Sequence, residues 1–226
     1  MKQQIPKIVI LGPQGAGKGT QAGFLVRHFH IAHVSTGDVL RAEVASGSAL
    51  GKRIAAIINI GDMVPSSMSN AAMKKSLASK ECRHGWISDG YPRALAQARF
   101  LQRVNPPDLV IHLHIADAAA VKRLSGRRVC PHGHIYHIKY HRPKKKPGYC
   151  DFDGLKLKQR DDDTPKAIRH RLKVFHKNTE PVLDWYRKKK LIVSVDAHGS
   201  IHDVYRDLMK HLKKHSPWLF SPKKKK

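Results

Sequence analysis

The chain has 226 residues, in which 43 Lys and Arg stand against 17 Asp and Glu, a formal charge of +26 before any of the 16 histidines is protonated. Such a length suits one compact unit with room for small inserted subdomains, and a hydrophobic content of 41% excludes a disordered polycation. The charge predicts attraction to phosphates and acidic surfaces, while no apolar run is long enough for a secretory signal or a membrane span. Three cysteines, Cys82, Cys130 and Cys150, do not make a disulfide framework in a chain of this size, so a reducing, cytoplasmic setting is expected.

In chain order, the β-branched run Lys7–Leu11 reads as a buried strand and leads through a glycine-rich loop into a helix that starts after Lys18. The stretch 35–64 contains helices, among them Thr36–Ala45, but no strand, and reads as a separate flap. Strands are then expected at Gly85–Ser88, Leu109–Ile115 and Leu191–Val195, with helices over Ala94–Val104, Asp117–Leu124 and Ser200–Lys213. Thr164-Pro165 is an N-cap hydroxyl followed by proline at the first helical position, and opens a long helix toward Lys190. This alternation predicts an α/β fold with a central parallel sheet flanked by helices. It is broken between Arg128 and Asp163, where two cysteines, four histidines, a lysine run and Pro-Gly without helical period read as a small β-rich insertion. Residues 217–226 read as a frayed basic tail.

The loop Gly12-Pro-Gln-Gly15-Ala-Gly17-Lys18-Gly19-Thr20 stands between strand and helix, the order a phosphate cradle requires. Glycines let successive backbone N–H groups turn toward one anion, the helix N-terminus adds its positive dipole, and Lys18 reaches the outer phosphates. Gly19 stands where the usual motif has Ser or Thr, and Thr20 follows one position later.

This variant loop resembles that of the nucleoside monophosphate kinases, and the match to the adenylate kinases becomes close further along. Four segments carry it: GPQGAGKGT at 12–20, STGDVLR at 35–41, DGYPRALAQA at 89–98 and RLSGRRVC at 123–130, with QRDDDTPKAIRHR at 159–171 as a looser fifth. The resemblance implies a P-loop kinase whose core comprises 1–34, 65–126 and 164–216, with an acceptor-binding flap at 35–64 and a lid at 127–163. It implies Mg²⁺ with ATP, the partners ATP, AMP and ADP, and a monomer.

By that resemblance Gly15, Ala16, Gly17, Lys18, Gly19, Thr20, Arg123, Arg127, Ile135 and Tyr136 hold the donor nucleotide. Thr36, Arg41, Met63, Val64, Gly90, Arg93, Gln97, Arg160 and Arg171 hold the acceptor, with Met63 and Val64 following Gly61-Asp62 in the segment laid against its adenine. Lys18, Arg93, Arg127, Arg160 and Arg171 converge on the transferring phosphoryl group, and Asp89, at the carboxyl end of a strand, suits magnesium-bound waters. Asp162 and Asp163 match the acidic pair after the lid. Each residue also has a plainer reading. Ser35 or Thr36 could simply cap a helix, Gln97 could face solvent, and an arginine in so basic a chain is usually a surface charge.

In the insertion, the family's metal-bearing lids place C-P-x-C and C-x-x-C or C-x-x-D at the ends of a hairpin. Here Cys130, Cys150 and Asp153 remain, and His132 is expected to replace the missing cysteine, with His134 as the alternative, in a structural Zn²⁺ site. The function expected is reversible, magnesium-dependent transfer of the terminal phosphoryl group of ATP to AMP. The alternatives are a UMP/CMP-type kinase and, from the lysine runs at 144–146, 188–190 and the terminus, a basic metal-knuckle protein binding nucleic acid. Weak nonspecific nucleic-acid binding is expected from the basic surface in any case.

Overall fold

The computed structural model describes residues 5–59 and 63–220; Gly61, Asp62 and the terminal lysines lie outside the described residues. Strand β1 (Lys7–Leu11) has no polar face, with Ile8, Val9 and Ile10 fully buried and Leu11 2% exposed. Such a strand is stable only at the centre of a sheet covered on both sides, and each of these side chains contributes roughly 1.5–3 kcal/mol by leaving water. β2 (Ala32–Ser35), β3 (Trp86–Asp89), β4 (Leu109–His114) and β7 (Ile192–Asp196) complete a five-stranded parallel sheet of order β2-β3-β1-β4-β7. Ile8 lies opposite Ile87 on one side and Leu109 on the other.

The two-residue period of β1 divides the core. Ile8 and Ile10 join Leu25 and Phe29 of α1 (Lys18–Phe29), Leu124 of α6 (Asp117–Ser125), Leu172 of α7 (Pro165–Val174) and Leu208 of α9 (Ile201–His215). Val9 and Leu11 face Met73 of α4 (Ser66–Leu77), Leu101 of α5 (Leu95–Val104) and Leu183 of α8 (Glu180–Lys188). The three-layer α/β architecture read from the sequence is therefore observed. The flap segment holds α2 (Thr36–Ala45) and α3 (Ala49–Asn59), and the insertion holds an antiparallel pair, β5 (Arg127–Val129) with β6 (Ile135–His137). No helix among the described residues is long and apolar enough to cross a membrane.

Four features differ from the sequence reading. β2 is not among the expected strands, because this edge strand fully buries only Val34, with Ala32 partly buried beside it, and has no apolar run. Helix α4 also escaped, since its buried positions Ser69, Met73 and Leu77 are a polar residue and two apolar ones in a mostly small, polar segment. The helix opened by Thr164, whose Oγ1 accepts from the Ala167 N–H at 3.2 Å, does not run unbroken toward Lys190. A π-helical turn at Phe175–Thr179 separates α7 from α8, just before Pro181, which has no N–H for the regular ladder. Finally, Pro217–Phe220 is not frayed: it forms a short 3₁₀ turn that buries Leu219 and sets the Phe220 ring 5.5 Å from that of Phe29.

Where β1 ends, the chain turns hard against β4. Gly12 has φ +152, and a Cβ there would lie 2.3 Å from the Leu113 carbonyl oxygen. Gly12→Ala is expected to lower stability by about 3 kcal/mol through strain and backbone displacement, measured as a lower urea midpoint with an unchanged m-value.

Candidate active site

The carboxyl ends of β1, β2 and β3 open onto one cleft, where a parallel sheet places its ligands. The loop after β1 lies there. Gly17, at φ 86, is the N-cap of α1 and supplies no side-chain hydrogen bond, so the first N–H groups of the helix have no capping partner from it and the first turn holds no acid. Gly15, at φ 88, packs against α6; a Cβ would sit 2.9 Å from the Ala120 carbonyl. Lys18 Nζ donates to the carbonyls of Gly12 and Pro13 at 2.8 and 2.9 Å, which curls the loop around its own ammonium group. Gly19, the departure from the usual motif, faces Asp89: its Cβ position is 3.4 Å from Oδ2.

Positive charge is concentrated here. Burial pushes the Lys18 pKa down to about 8; Asp89 opposes this, while Arg93, Arg127 and Arg171 push it further down. Burial also lowers Arg93, with Arg171 and Arg41 adding to the effect against Asp89, and it brings Arg160 to about 10, where Arg127 and Arg41 act in the same direction. The five cations read from the sequence are thus electrostatic neighbours. Two are held by a fully buried carboxylate. Asp163 accepts from Arg127 Nε and Nη2 at 2.7 and 2.6 Å and from Arg171 Nη2 at 3.1 Å, and Asp162 takes Arg171 Nη1 at 2.7 Å. Arg93 and Arg160 have no carboxylate at salt-bridge distance among the described residues; Arg93 Nε instead donates to the Gly90 carbonyl at 2.7 Å. Asp89 itself is ion-paired only with His33, at 3.7 Å, among the described residues, which leaves oxygen ligand capacity of the kind magnesium-bound waters use.

Two lobes of the cleft meet at Arg93. One, of about 420 Å³, is bounded by Gly12, Lys18, Arg93 and Phe175. The other, of about 360 Å³, is lined by Thr36, Met63, Val64, Gly90, Arg93 and Gln97, all assigned to the acceptor from the sequence, together with Leu40, Ile58 and Tyr91. Ser35 rather than Thr36 is the cap of α2, accepting from the Asp38 N–H at 3.2 Å, and Thr36 is buried with its hydroxyl 3.3 Å from Met73 Sδ. Gln97 does not face solvent: it is 3% exposed. Arg41 stands at the rim, paired with Asp38.

Three residues that the sequence reading did not single out support this lobe. Ser69 accepts from Gln97 Nε2 at 2.9 Å, Asn70 accepts from the Tyr91 hydroxyl at 2.7 Å, and Thr179 in the π-turn donates to the Arg93 carbonyl at 3.0 Å. The wide turn before Pro181 is the only signal that points to Thr179; helical spacing points to none of the three.

On the other side of the loop, Arg123 Nη2 donates to the carbonyls of His198 and Gly199 at 3.1 Å, joining α6 to the turn that follows β7. Ile135 is 43% exposed on β6. Tyr136 does not present its ring to the cleft. It is 2% exposed inside the insertion, stacks on His141 at 5.2 Å and accepts from the Asp151 N–H at 2.8 Å.

The insertion gathers four metal-ligating groups, and one differs from the expected set. His134 Nδ1 lies 3.1 Å from Cys130 Sγ, 3.3 Å from Cys150 Sγ and 3.2 Å from Asp153 Oδ2, and all four donor atoms fall within 4.8 Å of one another. His132 is displaced to the outside, 67% exposed, touching only Asp153 at 3.1 Å. The reason is a turn closed by the Gly133 N–H to the Cys130 carbonyl at 2.9 Å: His132 lies within the turn and points out, while His134 comes after it and points back. The spacings suit zinc, whose bonds of about 2.0 Å to nitrogen and 2.3 Å to sulfur imply tetrahedral edges of about 3.3–3.8 Å.

The model of the family described as Adenylate kinase matches residues 10–191. The chain is 41% identical over 212 residues to an adenylate kinase of Methanothrix thermoacetophila, covering 92% of this chain and 98% of that one. It is 42% identical over 214 residues to an adenylate kinase of Thermodesulfovibrio yellowstonii, covering 92% and 99%. An adenylate kinase of Methanococcoides burtonii gives 41% over 210 residues, covering 91% and 97%. With the glycine loop, the converged cations and the two-lobed cleft already in place, the chain belongs to the adenylate kinase family.

Proposed function

We propose that the cleft transfers the terminal phosphoryl group of ATP reversibly to AMP, giving two ADP. The observation that carries this reading is the convergence of Lys18, Arg93, Arg127, Arg160 and Arg171 between a phosphate-cradling loop and a base-sized apolar lobe. Phosphoryl transfer asks little covalent chemistry of a protein and is governed by alignment and charge neutralisation. In this reading the N–H groups of Gly15–Thr20 hold the donor phosphates, and Lys18 exchanges its two carbonyl partners for phosphate oxygens. Arg93 holds the acceptor phosphate in line, and Arg127, Arg160 and Arg171 neutralise charge developing on the transferred group. Arg123 and the His198–Gly199 turn border the donor base. Asp89 would hold the waters of a magnesium ion bound with ATP, which would supply further charge neutralisation. Residues 35–64 and 127–163 act as flap and lid that exclude water, a competing nucleophile.

Gln97 and Thr36 support adenine over a pyrimidine, so rates with AMP should exceed those with CMP, UMP and GMP in a coupled assay for ADP. Faster turnover of UMP or CMP would favour the pyrimidine monophosphate reading. The basic exterior, for its part, gives weak binding to RNA or DNA whose log affinity falls linearly with log salt. Retention on heparin that persists at physiological salt would instead favour a dedicated nucleic-acid role.

Lys18→Met is expected to reduce kcat at least 100-fold with little change in Tm. Its depressed pKa means that the charged ammonium costs stability at neutral pH, because the unfolded chain binds that proton more tightly, so removing it does not weaken the fold. In the wild type Lys18 is cationic below pH about 8 and neutral above it. Thus kcat/KM for ATP should fall above that pH, while kcat, reporting the complex in which phosphate anions raise the pKa, should hold to higher pH.

We also propose a structural zinc in the lid, held by Cys130, His134, Cys150 and Asp153 and separate from the reaction. A segment whose own core is only Cys130, Tyr136, Cys150 and Leu157 gains most from such a clamp. Protein purified without chelator should carry near one zinc per chain, and Cys150→Ser should lower Tm by several degrees while leaving low-temperature kcat within a few-fold. His134→Ala should lose the metal and His132→Ala keep it.

A further inference from the structure

The side chain of Gln97 is amphoteric: one end can only accept hydrogen bonds and the other can only donate them. Its orientation therefore decides which edge of a base it can pair with. In the acceptor lobe both ends are already engaged. The Arg93 backbone N–H, which can only donate, lies 2.7 Å from Gln97 Oε1. At the other end Nε2 donates at 2.9 Å to Ser69 Oγ. Ser69 has a single hydroxyl proton, and α4 draws it away: Oγ lies 3.1 Å from the Pro65 carbonyl and 3.3 Å from that of Ser66. Its oxygen is left to Gln97 as an acceptor. A flipped amide would set N–H against N–H at Arg93 and carbonyl against an oxygen without a proton at Ser69.

We infer that Ser69, a buried residue behind the cleft, is a specificity-determining positioning residue that locks the Gln97 amide in the orientation complementary to a 6-aminopurine and mismatched to a 6-oxopurine. The inference rests on the acceptor-base reading of the cleft given above. Oε1 keeps a second lone pair and Nε2 a second hydrogen. Adenine presents an amino donor at C6 beside an acceptor at N1, which an amide of fixed sense can meet at O and N respectively. Hypoxanthine presents the opposite order, a carbonyl at C6 beside a protonated N1, and would need the amide turned over. A freely rotating glutamine would serve both; one pinned by Arg93 N–H and Ser69 Oγ serves one. The lock also connects base recognition to the phosphate side, because the residue whose N–H holds Oε1 is the arginine expected to hold the acceptor phosphate. Ser69 is 3% exposed and lies outside the lining of the lobe, so its effect on the base passes through Gln97.

The test compares kcat and KM for AMP and for IMP, with ATP as donor, in wild type, Ser69→Ala and Gln97→Ala. Ser69→Ala should raise KM for AMP about 10-fold, leave KM for ATP and kcat at saturating AMP within two-fold, and reduce the AMP-to-IMP ratio of kcat/KM by about 10-fold. A merely structural role would lower Tm or affect both substrates without moving that ratio. Should S69A fold poorly, S69C reads the same ratio with the volume kept and the acceptor weakened. If Gln97→Ala loses AMP selectivity but neither Ser69 variant does, the lock is overturned while the base reading stands. If Gln97→Ala leaves the ratio unchanged, the base reading fails and the lock falls with it.

Discussion

The site depends on bringing five cations together in a folded protein, with Asp89, Asp162 and Asp163 as the carboxylates among them. Asp163 makes this possible. Fully buried at the exit of the lid segment, it accepts a bidentate fork from Arg127 and a third bond from Arg171, so one carboxylate fixes two arginines that arrive from opposite ends of the insertion. A buried charge of this kind contributes less to net stability than to position, since its desolvation offsets much of the attraction. What it secures is the spacing of guanidinium groups to which a phosphate chain can bind. Lys18 and Arg160, which Asp163 does not hydrogen-bond, are both lowered in pKa, to about 8 and about 10, first by burial and then by neighbouring cations. A polyphosphate would supply the counter-charge that these buried cations lack.

The glycine loop solves a different problem, that of distance. Gly12 and Gly15 are packed so closely against the Leu113 and Ala120 carbonyls that a methyl group would not fit, and this draws the start of α1 down onto the end of the sheet. Backbone N–H groups at that helix start then face the cleft without a competing side-chain cap. Gly19 extends the same logic to Asp89, keeping the space above the carboxylate clear where the common form of the motif carries a hydroxyl. The π-turn at Phe175–Thr179 is a third local device. It breaks a helix that would otherwise run past the site and spends the resulting freedom on a hydrogen bond to the Arg93 backbone.

The acceptor lobe is held from behind by polar contacts within and between α4, α5 and the loop after β3. Ser69 with Gln97 and Asn70 with Tyr91 are contacts between side chains more than twenty positions apart, and each joins the helix below the cleft to the segment carrying Arg93. Gln97 and Arg93, to which base and phosphate binding are assigned in the proposed reaction, therefore share one scaffold. The lid is organised separately, around two buried cysteines and Tyr136, and its stability is coupled to the site mainly through Arg127 and Asp163.

Much of this was legible in the chain alone. Spacing within a contiguous motif pointed to the phosphate loop, because it is local and its chemistry requires those residue types at those intervals, whereas Arg93, Gln97 and the Cys130–Cys150–Asp153 set came from the family resemblance. Strands β1, β3 and β4 were legible because burial on both faces forces apolar runs, and β7, an edge strand whose burial alternates, because of its β-branched Ile192, Val193 and Val195. The rest needed the fold. β2 is an edge strand with one buried side chain, so no run records it. That His134 rather than His132 joins the cysteines turns on the hydrogen bond from the Gly133 N–H to the Cys130 carbonyl, and the Tyr136 ring lies inside the insertion, where its hydroxyl meets Cys150 Sγ and the Asp151 N–H. Asp163 was matched only to an acidic pair, and its grip on two arginines, like the contacts of Ser69 and Thr179, was not read from the sequence. Each acts on at least one partner distant in sequence, and that pairing exists only once the sheet has fixed which ends of the helices meet.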